Sequence, residues 1–447
     1  MIYDFRSLFN QFINQIMLQE SKQNRVCTPT QSAIQEQLQY VTCGAESTFC
    51  ITIHKKVFMW GQGIQIPKQL ELQDIEQIAA SKEHWFAWSD TQVFGCGSNK
   101  QGKLGMNNSV NTPTLFDIFS EASQYGWQLQ KIAVGLDHSV ALIEVEEENK
   151  IFVWGSNAYQ QLGFDASEQF VAIPHQLDSD NLPRIVDIYA QHNYTMAIDE
   201  EGRLFSWGSN EFGRLGQNAF AKCMKLPSPI TSLGNLKIAK LALGTFHVLA
   251  IDTQGNLYSW GRGLQGQLGH GTSNDCSKPN QISSLSSIRD VACGEAHSMA
   301  LQNNGSVYVF GSGQFGQLGL GDYKQQDAPQ MLQIHGEMIA CGRHHSAVLT
   351  KNGALFMFGN NESSQLGLEC GKSGAYSTPL PKQSPMNTNQ IFELTDEFMN
   401  KIEASRSEDL EQLLVEYQQN TSQIPNTQTT IFIKDLMERV IALLQKK

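Results

Sequence analysis

The chain has 447 residues, 40% hydrophobic and 17% charged, with 37 Gly and a formal net charge of −12. This composition predicts a soluble, intracellular protein with a large core and many turns. The negative charge disfavours direct nucleic-acid binding, which rests on neutralising phosphates, and no run of about 18 apolar residues could cross a membrane as a helix.

Residues 1–25 place Phe5, Leu8, Phe9, Phe12, Ile13, Ile16 and Met17 at helical spacing with no Gly or Pro between them, which predicts an amphipathic helix and a linker. No signal or transit pattern precedes it, Arg6 being the one basic residue before Lys22.

From 26 to 387 a cassette returns seven times. Its aromatic-Gly pairs fall at Trp60-Gly61, Phe94-Gly95, Trp154-Gly155, Trp207-Gly208, Trp260-Gly261, Phe310-Gly311 and Phe358-Gly359. In the fifth copy the Gly244-Thr245-Phe246-His247 loop leads into the apolar run Val248-Leu249-Ala250-Ile251. A turn at Asp252-Thr253-Gln254-Gly255 follows, then a returning strand, Leu257-Tyr258-Ser259-Trp260. One such sheet cannot bury both faces alone. Repetition until a ring closes solves its edge problem, so the predicted fold is all-β, a seven-bladed β-propeller with flanking amphipathic helices. Some copies depart from the pattern: Ser47 and Tyr194 stand where His is expected, and Ser81 replaces the loop Gly. Gly294 is expected at positive φ. The segment 377–381, with Pro379 and Pro381, reads as the lead-in to an outer strand that closes the ring against blade one.

Chemical motifs dissolve in this context. Gly261-Arg262-Gly263-Leu264-Gln265-Gly266 and Gly311-Ser312-Gly313-Gln314-Phe315-Gly316 satisfy the dinucleotide spacing, but both run into Gln-Leu-Gly at corresponding places of two repeats and read as blade loops. Cys341-Gly342-Arg343-His344-His345 and Cys293-Gly294-Glu295-Ala296-His297 lack a second ligand pair at zinc spacing. The repeat histidines His84, His138, His247, His297 and His345 read as structural, each imidazole satisfying backbone groups where a loop enters a strand. No catalytic residue, cofactor site or metal site is predicted, and the chain reads as a non-enzyme. Nine Cys, with Cys43, Cys293 and Cys341 at one repeat position, read as core residues of a reducing compartment, cytoplasmic rather than nuclear.

Recognition remains. A strand crosses the thickness of a blade, so the G-x-x-H loops share one face and the Gly turns the other. On the first face Glu46, Glu83 and Asp137 precede the His position in adjacent blades and Glu295 lies one place earlier in blade six, a candidate acidic partner-binding patch. On the second face the third cassette replaces its tight turn by a lengthened acidic hairpin, 144–150, with Glu144, Glu146, Glu147 and Glu148 as candidates. The connection 106–133, with Tyr125 and Trp127, is another departure from the repeat.

Beyond 388 Gly disappears. Ile391, Leu394, Phe398 and Ile402 form a helical stripe, and Ser405 with Glu408 reads as a capping box ahead of Leu410, Leu413, Leu414 and Tyr417. After Pro425 the stripe resumes at Ile433, Leu436, Met437, Val440, Ile441 and Leu444, so 388–447 is predicted as helical, packing on the propeller or docking a partner.

The pattern G-x-x-H-[ST]-x-A-L, a Gly turn, aromatic-Gly and Q-L-G resembles the repeats of the regulator of chromosome condensation (RCC1) superfamily. Its best copies are Gly135-Leu136-Asp137-His138-Ser139-Val140-Ala141-Leu142 and the stretches beginning at Gly294 and Trp207. The resemblance implies an interaction ring, a protein-protein or regulatory scaffold in an intracellular, cytoskeletal or other assembly. It also implies an alternative, a guanine-nucleotide exchange factor for a Ran-like small GTPase, since exchange-factor members meet the GTPase with acidic and polar residues of these loops. Their basic tail is missing from this sequence, and no segment of it can be assigned to their protruding wedge.

Overall fold

Alternating apolar residues cut by Gly turns give short antiparallel strands, and the computed structural model arranges them as seven four-stranded sheets in chain order. It describes residues 34, 36–116, 126–165, 168–177, 182–217, 221–367 and 375–382. The helices predicted in 1–25 and 388–447, and Tyr125, lie outside the described residues. All the sheets belong to one compact unit, Glu36–Gly367 with Gly371–Lys382.

Blade six shows the plan. Ile288–Cys293 is innermost, His297–Gln302 and Ser306–Gly311 follow, and Gln326–His335 is outermost. The second strand is buried along nearly its whole length because it faces neighbouring blades on both sides, while the outer strand is largely exposed. Trp60, Trp154, Trp207, Trp260, Phe310 and Phe358 are fully buried in the third strands. The core is therefore distributed between blades: one apolar cluster joins Leu249 and Leu257 of blade five to Val291, Ala300 and Phe310 of blade six.

Two glycines of blade six are fixed by close approach. Gly311 has φ +106, and a Cβ there would stand 2.6 Å from the Ala296 carbonyl oxygen. Gly294 corrects the expectation from sequence, since its φ lies outside the left-handed region. A Cβ would instead stand 2.1 Å from His297 Cε1 and 2.7 Å from the Gly342 carbonyl oxygen. The histidine ring, not backbone handedness, demands glycine.

Blade two also corrects the repeat register. His84 pairs with Gly97 and Trp85 with Cys96, the relation His297 has to Gly311 and Ser298 to Phe310. The repeat pair there is Cys96-Gly97, not Phe94-Gly95. Opposed residues share space across the ladder, so the bulky Trp85 in the second strand leaves room only for Cys96 where other blades carry Trp or Phe.

The segment 377–381 lies within Ala375–Lys382, the outer strand of blade seven itself, where Met357 pairs with Leu380. It does not close the ring. Closure runs through Arg343 N–H to the Ala45 carbonyl (3.0 Å), Gly63 N–H to the Ser363 carbonyl (3.1 Å) and a side-chain bond described below. Every outer strand carries a proline just before a residue paired to the third strand: Pro67, Pro113, Pro174, Pro227, Pro279, Pro329 and Pro379 precede Lys68, Thr114, His175, Ser228, Asn280, Gln330 and Leu380. Each removes a donor from an otherwise open edge and so blocks pairing with another chain.

Candidate interaction face

The G-x-x-H loops gather on one face, and their histidines are buried beneath it. His297 Nε2 lies 2.9 Å from Ser346 Oγ of the next blade, and Ser346 Oγ donates to the Gln317 carbonyl at 2.8 Å. With its proton committed there, the hydroxyl accepts from Nε2–H, which fixes the tautomer. The same relay joins His84 to Ser139, His138 to Thr195, His247 to Ser298 and, closing the ring, His345 to Thr48 at 3.1 Å. The imidazoles are structural, but they bind hydroxyls of the neighbouring blade rather than loop backbone. Burial holds their pKa values down, to about 3 for His138, His247 and His345, so they are neutral and occupied.

The four acidic candidates share this face, and the structure gives each a partner. Lys103, fully buried, donates from Nζ to Glu83 Oε2 (2.7 Å) and Asp137 Oδ1 (2.9 Å). Its hydrogen bond, the largest cause, holds the Glu83 carboxyl below the usual range. Arg343 pairs with Glu295. Ser363 Oγ donates to Glu46 Oε2 at 3.2 Å. Glu46 and Glu83 also line an open depression with Gln62, Lys82, Ser98 and Asn111. The patch is thus a set of positioned, largely neutralised carboxylates rather than a field of free charge.

Lys103 stands where blades three, five, six and seven have Gln. Those glutamines accept, through Oε1, the amide N–H two residues earlier: Tyr159 to Gln161, Gln265 to Gln267, Phe315 to Gln317 and Ser363 to Gln365, at 2.8 to 2.9 Å. Lys103 and, in blade four, Arg214 cannot accept. The residues two before them, Gln101 (φ 59) and Phe212 (φ 57), sit instead in left-handed backbone within the 3-10 turns Lys100–Gly102 and Glu211–Gly213. Such a residue costs on the order of 1 kcal/mol.

That turn presents Phe212 to solvent, 43% exposed, in a cluster with Phe246 and Arg262 that the sequence reading missed. Each aromatic alone looks like core. The available signal was the cation in the Gln column. The inner strands carry a second unpredicted feature: Lys131 bonds Asp187 and Lys240 bonds Asp290, both at 2.6 Å, with Lys131 over the Tyr189 ring.

On the opposite face the acidic hairpin differs from expectation. The turn stays tight, and the added length lies in the strands His138–Val145 and Glu148–Ser156, with Val145 paired to Glu148. Glu146 (φ 50) and Glu147 (φ 67) form the turn with both central residues left-handed. Glu148 pairs with Lys150, and Glu144 accepts from Gln130 Nε2 at 3.0 Å. Trp127 does not stand free; it packs on Phe152 with centroids 5.9 Å apart.

Residues 62–288 and 144–407 match the family described as the RCC1-like domain. The chain belongs to that family. Among similar curated proteins is the ultraviolet-B receptor UVR8 of Arabidopsis thaliana, 28% identical over 266 residues, 56% of this chain and 58% of UVR8. The human E3 ubiquitin-protein ligase HERC2 is 32% identical over 49% of this chain, a stretch that is 5% of HERC2. The chain thus spans less than two thirds of either relative. Prp20p of Saccharomyces cerevisiae, described with its binding properties to Gsp1p and histones, shares the fold with TM-score 0.64 at 21% identity, covering 83% of this chain and 90% of Prp20p. Human WBSCR16 does so with TM-score 0.64 at 24% identity, covering 72% and 84%. Among the described residues of this RCC1-like chain, no helix is long and apolar enough to cross a membrane.

Proposed function

We propose that the chain is a non-catalytic RCC1-like propeller serving as a protein-protein interaction and regulatory scaffold in a cytoplasmic assembly. One observation carries the reading: on the G-x-x-H face the histidines are buried, neutral and bonded, while the accessible groups are an aromatic–guanidinium cluster and positioned carboxylates. Those groups recognise surfaces. Cys43, Cys96, Cys293 and Cys341 form no disulfide, and burial pushes the Cys43 thiol up to about 12, which fits a reducing compartment and an inert thiol.

A second reading, exchange on a Ran-like small GTPase, draws support from the fold shared with Prp20p and from the acidic residues Glu46, Glu83 and Asp137. Exchange would need only tighter binding to the nucleotide-free GTPase than to its loaded form.

The test is quantitative affinity capture with the chain unaltered and with each face reversed. The first variant combines Glu46→Lys, Glu83→Lys and Asp137→Lys with Lys103→Gln, so that no buried cation loses its counter-ions. The second combines Glu146→Lys, Glu147→Lys and Glu148→Lys. Partners are expected to be lost from the first and kept by the second. The opposite pattern, or identical capture by both, would put recognition elsewhere. Release of a fluorescent GDP analogue from a captured GTPase separates exchange from plain binding.

A further inference from the structure

Three loops of blades four and five converge on the G-x-x-H face. The Arg262 guanidinium lies 4.7 Å from the Phe212 ring centroid and 5.5 Å from that of Phe246, and the two rings meet edge-on at 5.4 Å. His192 abuts Phe246 at 5.9 Å. Beneath them Arg214, fully buried, donates from Nη1 to the Thr245 carbonyl at 2.7 Å and places a second cation 5.8 Å from the Phe246 ring. Its carboxylate partner is Glu211, at 3.5 Å. Arg262 has none: among the described residues its guanidinium is in contact with the two rings and with no carboxylate or carbonyl. Leu264, two residues further along the same loop, is 53% exposed.

We propose that this cluster docks an acidic linear segment of a partner protein, one carboxylate taken by Arg262 and a neighbouring apolar side chain set against Phe212. Stacking occupies the flat faces of a guanidinium and leaves its in-plane N–H donors for a carboxylate, which they take two at a time. The two ring contacts lower the entropy of holding that donor in place. Arg262, Arg214 and Glu211 sum to a local positive charge in a chain of net charge −12. A single unpaired guanidinium offers one carboxylate-sized site rather than the continuous basic track that neutralises successive phosphates, so a short acidic segment fits better than a nucleic-acid strand. Phe212 itself sits in left-handed backbone (φ 57), so strain is held where the contact is made.

The site rests on the reading of this face as protein-binding, and its test is independent of capture. Two fluorescein-labelled peptide pools share apolar flanks; one fixes Asp or Glu centrally, the other Asn or Gln. Fluorescence anisotropy with the full chain should show the acidic pool binding at least about tenfold tighter than the amide pool, with affinity falling as salt rises. Arg262→Ala and Arg262→Lys should each weaken it about tenfold, the second because an ammonium keeps charge but loses the planar fork. Arg184→Ala, an exposed arginine near Glu148 of the opposite face, should leave it unchanged, and melting temperatures should match throughout. Equal binding of the pools, no binding of either, or full affinity in Arg262→Ala would overturn the proposal. So would tighter binding of single-stranded DNA, or a dimer in sedimentation that Arg262→Ala dissolves. Failed peptide binding with intact, face-dependent capture would sink this site and leave the scaffold reading standing.

Discussion

Acid should unfold this propeller well before its carboxylates titrate. Each repeat histidine donates Nε2–H to a hydroxyl whose own proton is committed, and its Nδ1 faces the loop glycine without a hydrogen-bond partner in His138, His247, His297 and His345. A second proton would be a buried charge with nothing to answer it. Burial accordingly lowers the pKa from the usual 6.5 to about 3 in His138, His247 and His345, and in the same direction in His84 and His297. Above 6.5 neither state binds the proton and the full stability is present. Below it only the unfolded chain binds, so stability falls with falling pH until the folded pKa is reached. Between about pH 7 and about pH 5 one such group removes roughly 2 kcal/mol, and the three at about 3 remove roughly 6 together, against a typical total of about 5–15 kcal/mol. Equilibrium urea unfolding followed by tryptophan fluorescence should therefore show a midpoint that collapses across that interval. His297→Gln, which does not titrate, should lower the midpoint at neutral pH yet flatten its pH dependence by roughly one histidine, about 1.4 kcal/mol per pH unit at most. A midpoint constant from about pH 7.5 to about pH 5 would refute the neutral, buried assignment.

Two further outcomes follow from the backbone. Gly294→Ala should cost about 1–3 kcal/mol through the clash with His297, although alanine tolerates the local φ; a melting temperature within a degree or so of the parent would show the ring can move aside. In the acidic hairpin, Glu146→Asn with Glu147→Gly should stabilise the protein by roughly 0.5–1 kcal/mol per site, because a turn with both central residues left-handed favours Asn-Gly. Calorimetry that shows no gain would place the turn in another conformation.

The ring was legible because each cassette repeats the evidence of the others, so Ser47 or Tyr194 could depart without hiding the period. What stayed hidden lies between blades. The reason for Gly294 is a histidine ring folded back over it, visible only in three dimensions. Blade two misled because Trp85 and Cys96 exchange bulk across a strand pair, moving the aromatic away from the expected place. Glu83 and Asp137 could be assigned to one face from strand geometry, but Lys103 comes from a third loop. Nothing in the spacing says that it bonds both. Phe212, Phe246 and Arg262 likewise come from three loops of two blades.

Departures from the repeat are of two physical kinds, and the difference separates architecture from recognition. Tyr194 replaces a histidine where the next blade offers Val248 instead of Ser or Thr, and Ser47 does so where the next blade offers Trp85; donor and acceptor vanish as a pair. Tyr194 then finds another acceptor, the Gly244 carbonyl at 2.7 Å. These changes are compensated and leave no buried group wanting. Lys103 and Arg214 are not compensated in this way. Their carbonyls keep the inter-blade bonds, to Ser139 Oγ at 2.8 Å and Trp260 Nε1 at 2.9 Å, and their side chains add others, from Lys103 Nζ to Asp137 and from Arg214 Nη1 to the Thr245 carbonyl. The side chains give up the loop hydrogen bond that Gln supplies, and the residue two before each is left-handed. The exchange trades a bond within the loop for contacts that reach the neighbouring loop on the interaction face. At Arg214 the return is an exposed Phe212 beside a stacked guanidinium, and at Lys103 it is two carboxylates fixed in orientation on the same face.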